Sequence, residues 1–221
     1  MSDTLTSSRR RLKEARPQQL LDAALDLFVE KGFAATRAEE VALRAGVAKG
    51  TLYLYYPSKE ELLKAVIREH LSSRIAAGAA EAEKHRGPVA ELLREVFSRW
   101  WLEVFDSPTS GVFKLIITEV RNFPDIAEFY VAEVIRPGEE LIARIVQRGI
   151  DNGEFEPLDV PSVVHSLMLP LVMLCLHKHS LGACPGHDEH FDPHLFVRSH
   201  IDLVIRGLAR SKPASRRAAA A

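Results

Sequence analysis

The fourteen residues from Gly46 to Lys59, Gly-Val-Ala-Lys-Gly-Thr-Leu-Tyr-Leu-Tyr-Tyr-Pro-Ser-Lys, constrain this chain more than any other segment. They read as a tight turn, one short helix over about 48–54, and a restart. Gly46 supplies a turn residue tolerant of positive φ. Pro57 stops the helix, and Ser58 followed by Glu61 is a capping box that opens the next one. Ala48 and Gly50 keep the short helix slim at its N-terminal end. Lys49, Thr51, Tyr53 and Tyr55 place ammonium and hydroxyl groups along it. A helix that lies in a DNA major groove needs this mixture: small side chains for close approach and polar groups that hold phosphates.

The rest of the chain reads with helical period throughout, with no convincing strand alternation. Leu21, Ala24, Leu25 and Phe28 form one face of a first helix over about 16–31, closed by Gly32. Thr36 followed by Glu39 reads as a capping box for a second helix ending near Gly46. A long linking helix covers about 58–84, with Leu62, Leu63, Val66, Ile67 and Leu71 on one face. Gly87-Pro88 is a break. Apolar pairs from Leu92-Leu93 to Val104-Phe105 mark a helix buried on more than one side. Further helices are expected at about 109–122, 124–152, 159–181 and 193–210, with a kink or break at Pro137-Gly138. Residues 212–221 read as a frayed tail. The expectation is an all-α chain of about nine helices. A three-helix helix-turn-helix domain at 14–75 precedes a larger C-terminal helical domain for ligand binding and dimerisation at 76–211.

The chain has 221 residues and a formal net charge of −1, so it is no polycation. Its first twenty residues nevertheless carry five basic groups (Arg9, Arg10, Arg11, Lys13 and Arg16) against Asp3 and Glu14. A basic arm at 1–13 points to a local anionic partner. The N-terminus has no apolar signal region. The longest apolar run, Leu167–Leu176, falls short of the ~20 residues of a membrane span, so no membrane partner is expected. Two cysteines, Cys175 and Cys184, make no disulfide framework, and a reducing cytoplasm is the simplest compartment. No phosphate loop, nucleophile motif or paired Glu-x-x-His pattern suggests an enzyme or a cofactor.

Residues 17–70 resemble the DNA-binding domain of the tetracycline-repressor (TetR) family of bacterial regulators. The matching pieces are Leu20–Phe28, Lys31–Thr36, Val41–Val47, Lys49–Tyr53 and Pro57–Leu62. The resemblance implies an all-helical homodimer that binds double-stranded operator DNA, usually as a repressor released by a small effector. It places Thr36, Lys49, Gly50, Thr51, Tyr53, Tyr55 and Lys59 at DNA-contacting positions, with Arg9, Arg10 and Arg11 as candidates in the arm. Ala48, Leu54 and Tyr55 stand where the family often has serine, an aromatic residue and histidine. Lys114–Pro124 is similar to a subgroup that accompanies efflux-pump genes.

In the C-terminal part, Phe97, Trp100, Trp101, Phe105, Phe113, Phe123 and Met168 are candidates for a pocket taking a hydrophobic or aromatic ligand. The helices near 159–181 and 193–210 are too apolar for a solvated surface, which points to a dimer interface. Seven of nine histidines lie between 165 and 200, among both cysteines. A metal- or redox-responsive regulator using 175–190 is therefore the alternative. Cys175 and His177 would project roughly 200° apart on a helix, so they cannot share one metal there.

Overall fold

The computed structural model describes residues 3–119, 121–184 and 191–210, with side chains described from residue 17 onward except at 183. Among these residues there are nine helices and no sheet, only an isolated bridge between Phe155 and Ala209. Helix α1 (Asp3–Lys31) is followed by α2 (Ala38–Arg44) and α3 (Lys49–Tyr55). The linking helix α4 runs over Lys59–Ile67, a π turn at Arg68–Ser72, and Ser73–Lys84. Helix α5 has the same build: Val89–Leu92, a π turn at Leu93–Phe97, then Ser98–Asp106. Then come α6 (Ser110–Glu119) and α7, which joins Pro124–Tyr130 through a π turn at Val131–Ile135 to Arg136–Asp151. Helices α8 (Val160–Lys178) and α9 (Pro193–Leu208) complete the fold.

Four expectations need correction. Helical backbone begins at Asp3, so α1 starts well before the expected residue 16 and takes in the backbone of the basic segment. The side chains of Arg9, Arg10 and Arg11, and the tail at 212–221, lie outside the described residues. The cap of α2 falls one residue later than Thr36-Glu39: the Arg37 backbone N–H donates to the Glu40 carboxylate at 3.1 Å. Pro137 does not break α7. It sits in the first turn after the π turn, where the wider coil accommodates a residue that lacks an N–H. Finally, α8 is long and apolar enough for a membrane span, with mean hydropathy 1.7 over its best window. Its inner side, including Val163, Leu167, Leu171 and Leu174, is buried against the other helices.

The N-terminal core follows the periodicity of α1 and α4. Leu20, Ala24 and Phe28 of α1 meet Leu62, Leu63 and Val66 of α4, and Val41 of α2 and Leu52 of α3 close the cluster. Phe155 is buried after the turn at Gly153, and Glu154 reaches across to cap α5, accepting from the N–H groups of Val89 and Ala90 at 2.7 and 3.3 Å.

The two parts of the chain touch closely along α1 and α6. A Cβ placed on Gly111 would lie 2.5 Å from Cγ2 of Val29, so only glycine permits this approach. Phe123, at the α6–α7 corner, packs edge-to-face on Phe33 with ring centroids 4.8 Å apart. Arg68 of α4 pairs with Glu133 at 3.5 Å and lies over the Phe129 ring, both on α7. Gly111→Ala is expected to lower the unfolding free energy by about 1–3 kcal/mol through overpacking, measured by urea denaturation. Adding Val29→Ala should recover part of the loss. A double variant no more stable than Gly111→Ala alone would show that this contact does not limit the approach.

Candidate DNA interface and ligand cavity

Helices α2 and α3 meet across a turn in which Gly46 has φ +66°. The Val47 N–H donates to the Ala42 carbonyl at 2.9 Å, closing the turn. Leu52 is the buried anchor of α3. Around it, Lys49, Gly50, Tyr53 and Leu54 face outward, while Thr51, Tyr55 and Tyr56 are half-buried. Lys49 pairs with Glu39 of α2 and lies 5.8 Å over the Tyr53 ring. The Lys49 hydrogen bond holds the Glu39 carboxyl below its ordinary value, and the Lys49 ammonium is raised in turn. Both groups are exposed, so a phosphate can exchange with Glu39 at little cost. Arg44–Glu30 and Lys31–Glu40, each at 2.7 Å, are further ion pairs on this domain.

Two residues singled out for phosphate contact are used inside the protein. The Thr36 side chain is buried, and its hydroxyl donates to the carbonyls of Gly32 at 2.8 Å and Leu27 at 3.2 Å. It ties off the C-terminal end of α1. The Lys59 ammonium donates to the carbonyls of Phe33 (2.8 Å), Ala34 (3.2 Å) and Thr36 (3.1 Å) and sits 4.4 Å from the Phe33 ring centroid. Its three protons are thus engaged with the 33–36 corner. The type of each residue suited either use; the carbonyls that claim them arrive only through the fold.

The C-terminal part encloses a cavity of about 590 Å³. Its walls come from α4, α5, α6, α7 and α8, and each of the three π turns contributes to them: Leu71 from α4, Val96 and Phe97 from α5, and Val131, Val134 and Ile135 from α7. π turns often mark functional sites, because they displace the side chains that follow. Phe97, Trp100, Trp101, Phe113 and Met168 line the cavity. Trp101 stacks on Phe113 at 5.9 Å and meets Trp100 edge-to-face at 5.1 Å. Phe105 and Phe123 stand elsewhere. Phe105 holds the Lys178 ammonium 4.6 Å over its ring, and Phe123 serves the contact with Phe33. Aliphatic lining such as Ile75, Ile142 and Val172 was missed, because its periodicity is that of ordinary core.

Charged pairs rim the cavity. Arg99 of α5 pairs with Glu81 of α4 at 2.5 Å, and Arg74 of α4 with Glu103 of α5 at 3.8 Å. His165 of α8 lies 3.5 Å from Glu139 of α7.

The cysteine–histidine segment is only partly described. His187, Asp188 and His190 lie outside the described residues, and among the rest no group of three His, Cys, Asp or Glu side chains is disposed to hold a metal. Burial pushes the Cys175 thiol up to about 12, which removes it as a reactive thiolate. His179 bonds to the buried Ser110 hydroxyl at 2.8 Å, and its desolvation lowers its basicity.

A turn-linked helix pair presenting a slim helix, joined by one long helix to an apolar cavity of ligand size, is the build of a helix-turn-helix transcriptional regulator. The comparisons with known proteins agree. Residues 20–66 match the model of the bacterial regulatory proteins of the tetR family, and residues 84–182 match a tetracyclin repressor-like C-terminal domain. The chain belongs to the TetR family of transcriptional regulators. It is similar to the fatty acid metabolism regulator protein of Bacillus subtilis, with 30% identity over 89% of this chain and 98% of that one. It is 28% identical over 71% of its length to an uncharacterised regulator of the same organism, spanning 76% of that protein. Among solved structures, the TetR-family regulator PfmR from Thermus thermophilus superposes with TM-score 0.68 at 26% identity, covering 86% of this chain and 99% of that one. The Bacillus subtilis regulator FadR, solved in complex with stearoyl-CoA, has TM-score 0.68 at 22% identity over 86% and 98% of the two chains. All four are named as regulators, three of them of transcription.

Lys59→Met is expected to lower the unfolding free energy by about 2–3 kcal/mol and Thr36→Val by about 1–2 kcal/mol, as hydrogen bonds to three and two carbonyls are lost. Thermal or urea unfolding of the full chain reads both. Unchanged stability in Lys59→Met would mean that its ammonium does not hold the corner.

Proposed function

We propose that this protein is a cytoplasmic, homodimeric repressor that leaves its operator when a long-chain acyl-coenzyme A fills the cavity, and that it controls catabolic genes for such chains. The cavity carries this reading. It is apolar, its size falls in the range of ligand pockets, roughly 300–1,000 Å³, and the linking helix forms one wall. A fatty-acid-metabolism regulator aligned over nearly its whole length supports the ligand class. A ligand that pushes on Leu71, Arg74 and Ile75 of α4 acts on the same helix whose first residue, Lys59, holds the corner ahead of α2. In a dimer, two recognition helices must sit about one turn of DNA apart, ~34 Å, or a multiple of it. A tilt of α4 changes that spacing.

In this reading Lys49, Thr51 and Tyr53 hold phosphates and base edges, Gly50 lets the helix approach, and Tyr55 supports from a half-buried position. Dimerisation uses the outer faces of α8 and α9, where Leu169, Met173, Leu195 and Leu203 are 59–70% exposed. An apolar strip of this size on adjoining helices is suited to a second copy of itself.

Three measurements bear on this. Stearoyl-CoA is expected to release a fluorescent operator duplex, and Val134→Phe, which fills the cavity, should bind DNA normally but resist release. Equal release of both proteins would rule out the cavity as the effector site. Lys49→Met should reduce the slope of log affinity against log salt by about 1 per protomer, and an unchanged slope would remove Lys49 from the phosphate contacts. Leu203→Glu should yield monomers by light scattering and abolish operator binding. A dimer persisting in that variant would place the interface elsewhere.

A further inference from the structure

Gly50 is unexplained by the protein itself. Its backbone is not left-handed, and a Cβ placed on it would meet no atom within 4 Å. Alanine would fit there and would favour the helix by about 1 kcal/mol. Nothing in the protein calls for glycine there, and glycine leaves this part of α3 open to close approach from outside. One helical turn later, on the same face, stands Leu54. It is 85% exposed, more than any other large apolar residue described. Leu52, two residues earlier, is fully buried, so α3 already has its apolar anchor and Leu54 adds nothing to the core. Gly50 and Leu54 thus make a recess and a protruding isobutyl group side by side, flanked by Lys49 and Tyr53.

The major groove offers one apolar feature at a base edge, the C5 methyl group of thymine. We propose that Leu54 is a base-reading residue that packs on a thymine methyl in each operator half-site, with Gly50 letting the helix backbone come near enough for that contact. This rests on the reading that α3 enters the major groove. A leucine has no hydrogen-bonding group, so it cannot distinguish bases by donors and acceptors. It favours T·A over C·G at its position by burying the methyl group.

The test starts from duplexes recovered from a random pool by the full-length protein. Each thymine of the recovered site is replaced by deoxyuridine, symmetrically in both half-sites, which deletes the methyl and leaves base pairing intact. Affinity should fall about fourfold per half-site at one position, the worth of one buried methyl-sized group, and at that position only. With Leu54→Ala the deoxyuridine penalty should vanish. With Leu43→Ala, which truncates another leucine 81% exposed in the same domain, the penalty should persist. If Leu54→Ala binds too weakly to titrate, Leu54→Val serves, with a reduced penalty expected. Specific binding with no deoxyuridine-sensitive position, or a penalty that survives Leu54→Ala, would overturn the assignment and leave the DNA-reading role of α3 standing. Failure to recover any preferred duplex would overturn both.

Discussion

Three backbone carbonyls converge on one ammonium group at the corner where the DNA-reading helices meet the rest of the molecule. Lys59 opens the linking helix and binds the carbonyls of Phe33, Ala34 and Thr36. Those residues join α1 to α2. The same corner is closed from below by the Thr36 hydroxyl on the end of α1, and from the side by Phe123 packing on Phe33. Carbonyls at a helix end and in a turn are orphaned acceptors that need partners, and a cation satisfies several at once. Through this knot α2 and α3 are tied to α4 and to the α6–α7 corner, which is the connection that the proposed release from DNA would use.

The cavity depends on a second device. Helices packed at native density leave few voids larger than a water molecule. Here α4, α5 and α7 each contain a π turn, and all three turns contribute to the wall of the cavity. The wider coil shifts the register of side chains within one helix, so ridges that would interlock are held apart. The surrounding ion pairs between Arg99 and Glu81 and between Arg74 and Glu103 join α4 to α5 across the rim. Such exposed pairs contribute little to stability, so they do not by themselves lock α4 against α5.

Much of this was legible in the sequence. The turn at Gly46, the cap at Ser58 and the periodic apolar faces of α1 and α4 act locally, and local signals are written in consecutive residues. Thr36 and Lys59 were legible as polar groups at helix starts, but the carbonyls they bind were not. A hydroxyl and an ammonium suit a phosphate as well as a carbonyl, and the carbonyls bound by Lys59 lie 23 to 26 residues away. The aromatic residues divide for the same reason. Phe97, Trp100, Trp101 and Phe113 line the cavity, whereas Phe105 and Phe123 belong to contacts set by α8 and by Phe33. Of the π turns, only the one ahead of Pro137 left a mark in the sequence, because proline alone among the residues involved dictates where an N–H is absent.

The central claim is that cavity and operator are coupled through α4, and coupling between two sites is reciprocal. The chain has two tryptophans, Trp100 and Trp101, and both line the cavity, so their fluorescence reports on ligand directly. The decisive measurement is the affinity for stearoyl-CoA from this signal, with and without saturating operator duplex. Operator should weaken acyl-coenzyme A binding by the same factor by which the ligand weakens operator binding. An affinity for stearoyl-CoA unaffected by the duplex would contradict the coupling, whatever each site binds on its own.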